Sequence, residues 1–319
     1  MRSNPATVSV VVPAFESEAY IREALDSILN QQFSPSEVLV VDDASKDGTA
    51  ELAEKFHPLV RVIRQPDNRG PGAARNAGVE NSRGEYVAFL DADDIWNTCH
   101  LARAVELLER WPEAGAVFSR YELFGCRSGF WPEKLPGMDE PRFCVLDLLR
   151  NNFIGMSALV VRRAAVRWQP WFEDLHEFHR GRRVQAEDYG FTLNLALHAP
   201  LVACPEATVR YRCHTAQSSA FRVPQILQAF HFRFRTLEKL ARDPARAEML
   251  VAARDRVLLG WEEAIEATWQ ARDREGLRLM VEWGRKRAEL RAATQPYRTK
   301  AWLPRWMLPR RGAEGTAGA

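Results

Sequence analysis

Short apolar runs alternate with amphipathic stretches through the first hundred residues. Val8-Ser9-Val10-Val11-Val12 is strongly β-prone and is stopped by Pro13. Tyr20, Ile21, Ala24, Leu25, Ile28 and Leu29 then fall on one helical face, with Ser17 placed to cap that helix. A second strand, Val38-Leu39-Val40-Val41, ends in Asp42-Asp43, and Asp47-Gly48-Thr49 opens a helix through Leu52, Ala53 and Phe56. Val60-Arg61-Val62-Ile63 reads as the third strand, followed by Asn68-Arg69-Gly70-Pro71-Gly72 and a small-residue helix from Ala73 to Val79. Tyr86-Val87-Ala88-Phe89-Leu90 is the fourth strand, and Asp91, Asp93 and Asp94 follow it at once. Uninterrupted apolar runs of this kind suit strands covered on both faces. Such alternation predicts βαβ units around a mostly parallel sheet.

Right-handed crossovers bring the ends of the first, second and fourth strands to one edge. Pro13-Ala14-Phe15-Glu16, Asp42-Asp43 and Asp91-Ala92-Asp93 then surround one crevice, beyond the carboxyl ends of the strands where such sheets bind ligands. An acidic strand-to-helix turn with an Asp cap accounts for one carboxylate of the last group, or two, but not three. A cation, or a positively charged transition state, accounts for the cluster.

The pattern downstream is looser. A helix through Leu101, Ala104, Val105 and Leu108 ends before Trp111-Pro112, and Ala116-Val117-Phe118 is a further strand. Residues 121–145 mix Gly, Pro and aromatics without a period and read as a long loop with small pieces of structure. Ser157 to Val161 reads as a strand, Gln185 to Leu197 as a helix, and Val202 to Cys204 and Thr208 to Tyr211 as strands on either side of a Pro-Glu turn. From Pro224 to about residue 293 the chain turns to Arg-rich amphipathic helices. The expected division is a catalytic domain over 1–222, a helical region over 223–294 and a basic, Trp-containing tail over 295–319.

Composition narrows the class. The 319 residues are 46% hydrophobic and 27% charged, ordinary for a soluble globular protein, and the net charge of +2 carries no footprint for nucleic acid. The 5 cysteines are scattered without a Cys-x-x-Cys pair, so no zinc ribbon or thioredoxin-type site is indicated, and a reducing cytoplasmic compartment is expected. No signal peptide is evident, and no run approaches the roughly 18–20 apolar residues of a spanning helix. In the tail, Trp302, Leu303, Trp306, Met307 and Leu308 interleave with Arg and Lys, a composition suited to peripheral contact with an anionic membrane face.

Taken together, the motifs resemble those of the inverting family-2 glycosyltransferases of GT-A fold. The resemblance rests on Val8 to Phe15, Val40-Val41-Asp42-Asp43 through Thr49, Asn68-Arg69-Gly70 with Ala74-Arg75-Asn76, Gly84-Glu85-Tyr86 into Leu90-Asp91-Ala92-Asp93-Asp94, Glu187-Asp188, and Tyr211-Arg212-Cys213-His214 with Ser218-Ser219. It implies a Rossmann-like mixed sheet, mostly parallel, with helices on both faces. It also implies a nucleotide-sugar donor, a divalent Mn²⁺ or Mg²⁺ ion, and transfer with inversion to a glycan, lipid-linked or small-molecule acceptor. Hard oxygen ligands suit such an ion, and a leaving nucleoside diphosphate needs its charge neutralised.

By the same resemblance Asp93 is the metal ligand, with His214 a second candidate, and Asp91 and Ala92 lie toward the ribose. Pro13, Phe15 and Glu16 line the base, Asp43 hydrogen-bonds it, and Gly70, Arg75 and Arg212 approach the nucleotide or its phosphates. Asp188 is the implied general base, with Glu187 as a fallback. The Gln-x-x-Arg-Trp motif of processive members is missing, which points to single transfers. Two other readings use the same residues: a haloacid-dehalogenase-like phosphatase, whose Asp-x-Asp turn Asp91-Ala92-Asp93 imitates, and an inactive sugar-nucleotide-binding protein.

Overall fold

The predicted alternation begins the fold. In the computed structural model, which describes residues 6–133, 142–150, 152–173, 178–179, 182–183, 186–214 and 222–301, the order is β1 (Val8–Ala14), α1 (Ile21–Leu29), β2 (Glu37–Asp42), α2 (Thr49–Glu54), β3 (Val60–Arg64), α3 (Pro71–Asn81) and β4 (Tyr86–Phe89). There follow β5 (Ile95–Trp96), α4 (His100–Arg110), β6 (Ala116–Gly125), β7 (Gly129–Trp131), β8 (Arg142–Phe143), α5 (Val145–Arg150) and β9 (Leu159–Arg162). A two-residue ladder of β10 (Phe178–His179) and β11 (Arg182–Arg183) precedes α6 (Glu187–His198) and β12 (Leu201–Cys213).

The main sheet runs β3-β2-β1-β4-β9-β6-β12-β5, with β7 on β6 and β8 on β12. The first four strands are parallel. β9 is antiparallel to both β4 and β6, and β12 returns parallel to β6. The sheet is therefore mixed, and β2, β1 and β4 stand side by side with their carboxyl ends together. Alternate residues of β1 face opposite layers. Val8, Val10 and Val12 join Ile21, Leu25 and Ile28 of α1 and Leu101 and Leu108 of α4 in one core. On the other face Val11 meets α3 at Gly78, where a Cβ would lie 2.3 Å from Val11 Cγ1. Phe89 meets Phe172 edge-on there at 5.4 Å.

Contact clustering divides the chain into two compact units, Met1–Leu148 with Asn152–His176 and Glu187–Gln217, and Leu149–Asn151 with Glu177–Ala186 and Ser218–Ala319. The second unit is built on α7 (Arg222–Ala241), α8 (Ala247–Gln270), α9 (Arg274–Arg285), α10 (Arg291–Thr294) and α11 (Tyr297–Lys300). Its core centres on the buried Trp261, which stacks on Trp283 at 5.4 Å and donates from Nε1 to Thr294 Oγ1 at 3.2 Å. The Lys300 ammonium lies 5.3 Å over the Trp269 ring, and Ala301 is buried. Trp302 to Leu308, on which the expected membrane contact rests, lie outside the described residues. No helix among the described residues is long and apolar enough to cross a membrane.

Several local expectations differ from what forms. Pro13 does not stop β1, which continues to Ala14. Leu90 N donates to Val11 O, and alternate residues of a strand bond to the same side, so the donor Pro13 lacks falls where β4 has already ended. Ser17 is not a side-chain cap: α1 starts at Ile21, and Ser17 Oγ donates back to Phe15 O at 3.0 Å. The stretch read as a loop from 121 contains the second half of β6, a turn and β7, then α5. The two strands expected around Pro205-Glu206 are one strand, β12, whose register against β6 shifts between Cys204 and Val209. A proline has no ladder donor, and a bulge accommodates it without ending the strand.

Candidate active site

The three strand ends form the floor of the site. Asp43 N donates to Ala14 O at 2.8 Å, binding the exits of β1 and β2 together. Immediately beyond them Glu16 (φ 48°) and Ala44 (φ 63°) hold left-handed backbone conformations that non-glycine residues rarely adopt. Glu16 N is fixed by Ser45 Oγ at 2.9 Å. Strain of this kind persists where surrounding bonds over-determine it, and it gathers at functional sites. Phe15 projects from the same turn at 43% exposure, so it is not a core aromatic, whereas Pro13 is buried in β1.

Asp43 has a definite structural task. Its carboxylate accepts from Arg69 N at 2.8 Å and Gly70 N at 2.7 Å, pinning the loop that leads into α3. Gly70 takes φ 87°, a region open to glycine, while the Arg69 side chain is exposed.

Arg75 is the buried cation of the site. It is 5% exposed, and it donates from Nη2 to Asp91 Oδ1 at 2.8 Å and from Nη1 to Glu187 Oε1 at 3.2 Å, with its guanidinium 5.6 Å over the Phe172 ring. Burial opposes its charge, but Asp91, Glu187 and Asp188 outweigh that and hold the guanidinium protonated. Gly72 makes room for the Glu187 arm, since a Cβ there would lie 2.7 Å from Glu187 Cγ. The Arg75 guanidinium expected at the nucleotide is thus engaged with two carboxylates, and the fallback base Glu187 is one of its ion-pair partners.

Asp188 is the second residue of α6, not its cap, and it is partly exposed. Its Oδ1 accepts from Tyr189 N at 2.6 Å, and Tyr189 Oη donates to Leu148 O at 2.6 Å, which anchors the start of the helix. Burial pushes the Asp188 carboxyl above the ordinary carboxylate range, with the Arg75 charge acting against that.

Across the site Asp93 Oδ2 and His214 Nε2 lie 3.0 Å apart. The His214 ring stacks on Tyr20 at 5.4 Å. Arg212 donates from Nε to the Asp93 carbonyl at 2.9 Å and from Nη2 to Glu23 Oε2 at 2.6 Å, and its guanidinium lies over the Tyr20 and Phe124 rings. Arg212 therefore braces the Asp93 backbone. Asp94 is 1% exposed and is neither a helix cap nor open to water: it accepts from Ser157 Oγ at 2.6 Å and Arg212 N at 3.0 Å. Ser157 Oγ also receives Asp91 N at 3.1 Å, so one hydroxyl holds both flanks of the Asp-x-Asp turn, in which Ala92 is buried. Burial and the neighbouring Asp91 raise the Asp93 carboxyl, and burial with Asp93 and Asp91 raises Asp94 well above the usual range.

No set of three or more His, Cys, Asp or Glu side chains able to hold a metal ion forms among the described residues. Asp93 and His214 form a converging pair in a region where carboxylates outnumber the buried Arg75. Divalent cations of the Mg²⁺ class keep several waters and take one or two protein carboxylates together with substrate phosphates. A pair of protein donors, one of them a carboxylate that burial and its like-charged neighbour raise, fits that demand.

Residues 9–168 match the family described as Glycosyl transferase family 2. The chain belongs to glycosyl transferase family 2. TuaG of Bacillus subtilis, named for teichuronic acid biosynthesis, is 31% identical over 160 residues, covering 49% of this family 2 chain and 62% of TuaG. The succinoglycan biosynthesis protein ExoW of Rhizobium meliloti is 32% identical over 222 residues, 63% of this chain and 67% of ExoW. The chain thus spans less than two thirds of TuaG. Among solved structures, the S. aureus TarS 1-349 complex with UDP-GlcNAc aligns with a TM-score of 0.62 at 21% identity, over 92% of each chain. The mannosyltransferase PcManGT of Pyrobaculum calidifontis, in complex with GDP-Man and Mn²⁺, aligns with a TM-score of 0.55 at 21% identity, over 93% of this chain and 88% of that one. These likenesses establish the GT-A fold, and the phosphatase reading falls with them.

Ser157, Tyr20 and Asn76 belong to the site although the sequence reading gave them no part in it. Asn76 donates from Nδ2 to Phe172 O at 2.8 Å and receives Phe172 N at 3.0 Å, fixing the segment that carries the ring under Arg75. Asn76 lay within a quoted motif, but Ser157 and Tyr20 meet their partners only through the sheet order.

Proposed function

We propose that the protein transfers one sugar from a nucleotide-sugar donor, UDP-linked, to an acceptor hydroxyl with inversion at the anomeric carbon. The observation that carries the reading is the assembly of Asp93 with His214, and of Asp188 with the Arg75 ion pairs, at the carboxyl ends of β1, β2 and β4 in a family 2 chain. The UDP-GlcNAc complex of TarS supports a uridine donor, and the GDP-Man complex of PcManGT supports a nucleotide-sugar site in this fold. TuaG, named for teichuronic acid biosynthesis, and ExoW, named for succinoglycan biosynthesis, support a glycan acceptor.

In this mechanism the exposed Phe15 ring stacks on the base, while Asp43 holds the backbone of the 69–70 loop beside it. Asp93 and His214 are the residues that would hold Mn²⁺ or Mg²⁺. Such an ion, when bound, offsets the charge that gathers on the diphosphate. Arg75 orients Asp91 and Glu187 and offsets the repulsion between their charges. Asp188 takes the proton of the attacking hydroxyl as that oxygen bonds to the anomeric carbon. The bond from that carbon to the diphosphate oxygen breaks, and its electron pair leaves with the nucleoside diphosphate. The raised Asp188 carboxyl suits a base, since its conjugate acid holds the proton more firmly than an ordinary carboxyl.

Asp188→Asn tests the reading. We expect nucleotide-sugar affinity within about twofold of the wild type and a transfer rate lower by about 10²–10⁴-fold, the range for loss of a positioned general base. Full transfer activity in that variant would place the base elsewhere.

A further inference from the structure

The hairpin of β6 and β7 carries an aromatic surface that the site chemistry leaves unused. Phe130 and Trp131, neighbours on β7, are exposed by 53% and 36%. Trp131 stands opposite Tyr121 in the hairpin register, their ring centroids 5.7 Å apart. Tyr121 leads from this surface into the site. It is buried, its hydroxyl accepts from Ala158 N at 3.1 Å, and its ring meets Tyr211 edge-on at 5.5 Å. Ala158 follows Ser157, whose hydroxyl holds Asp94 and the Asp91 amide. Trp131 is therefore one ring away from the segment that fixes the Asp-x-Asp turn.

The platform is braced before any ligand arrives. Successive strand residues face opposite ways, and on the Phe130 side Arg120 lies 5.0 Å over the ring. Arg120 also donates to Pro132 O at 3.1 Å and Glu133 O at 2.6 Å, tying the exit of β7 back to β6. Fixing an aromatic in place beforehand lowers the ordering cost of binding. An indole presents a broad apolar face with an N–H donor at its edge. A pyranose ring has the matching features, a C–H face rimmed by hydroxyls, whereas an open-chain polyol offers no comparable flat face.

We propose that Trp131 is the acceptor platform, and that the acceptor presents a pyranose ring to it. The inference rests on the glycosyl-transfer reading above and names the acceptor class for that same site. Trp131 is a specificity residue here and takes no part in donor binding or in the chemical step.

The test uses the full chain, with methyl pyranosides of mono- and disaccharides and with ribitol and glycerol as probes, by saturation-transfer-difference NMR in the presence of UDP and the diamagnetic ion Mg²⁺. The expected result is saturation transfer to ring C–H protons of at least one pyranoside, reduced at least fivefold in Trp131→Ala and retained in Trp131→Phe, with UDP affinity the same in all three proteins. Saturation of no pyranoside, equal saturation of the polyols, or undiminished transfer in Trp131→Ala would each overturn it. Nucleotide affinity is read on the same samples. A wild type that binds no UDP contradicts the donor assignment, and pyranoside contact that depends on Trp131 in that sample still upholds the platform.

Discussion

At the scale of single residues the site is a problem in balancing like charges. Asp91, Asp93, Asp94, Glu187 and Asp188 are drawn together, and several devices hold them there. Asp91 and Glu187 share Arg75, Asp94 is buried under Ser157 and the Arg212 amide, and Asp93 faces His214. Asp188 is left partly exposed, with its carboxyl raised by burial. The pH dependence follows from that shift. A base must be ionised to act, so the rate falls as pH falls through the folded-state value, which lies above the roughly 3.9 of an unperturbed aspartate. The acid limb of kcat/KM should therefore stand above pH ~4 and vanish from the residual rate of Asp188→Asn. An unchanged acid limb in that variant would assign the limb to another group.

The residues that carry these devices were unevenly legible. Asp93 and Asp188 stood out because carboxylates directly after an apolar run, or opening a helix, are visible in one dimension. The partners were not. Arg75 reaches Glu187 across more than a hundred positions, and Ser157 reaches Asp94 across more than sixty. Nothing in the local pattern of a serine before a strand announces such a bond.

At the scale of elements the first four strands and their helices followed from the alternation of short, mostly apolar β-prone runs with helical stretches, of which α1 has the clearest apolar face. The outer half of β6 and its partner β7 did not, although the start of β6 at Ala116-Val117-Phe118 did. β7 is exposed and pairs β6 off the main strand order, the outer half of β6 is only partly buried, and the Gly and Pro residues around them look like those of an irregular loop. β12 was misread for a related reason, since Pro205 interrupts the hydrogen-bond ladder without ending the strand. The packing of α3 on β1 gives a test at this scale. Gly78 has no room for a side chain, and Val11 is β-branched and fully buried. Gly78→Ala should lower unfolding stability by about 1–3 kcal/mol, the usual cost of overpacking, read as a lower denaturant midpoint at unchanged m-value. A midpoint equal to the wild type would mean that α3 shifts freely on the sheet.

At the scale of the whole molecule the net charge of +2 conceals a local excess of negative charge at the strand ends, and this contrast is what the proposed cation would offset. Parallel strands place the turns after β1, β2 and β4 together, and the turns after β2 and β4 carry the aspartates. The unit that holds them contains every residue given a role in transfer. The helical unit, with its Trp261 and Trp283 core, contributes none of them. A cation at Asp93 and His214, together with a diphosphate, would offset the burial and the like-charged Asp91 that raise Asp93, so on the proposed reading donor and metal should stabilise the protein jointly. Thermal unfolding measured with UDP, UDP-sugars and GDP-sugars, each with and without Mn²⁺, tests this most directly. We predict that a UDP-linked ligand raises the Tm by several degrees only when Mn²⁺ is present, and that Asp93→Ala abolishes the joint shift. An equal shift without metal, or one preserved in Asp93→Ala, would contradict the account.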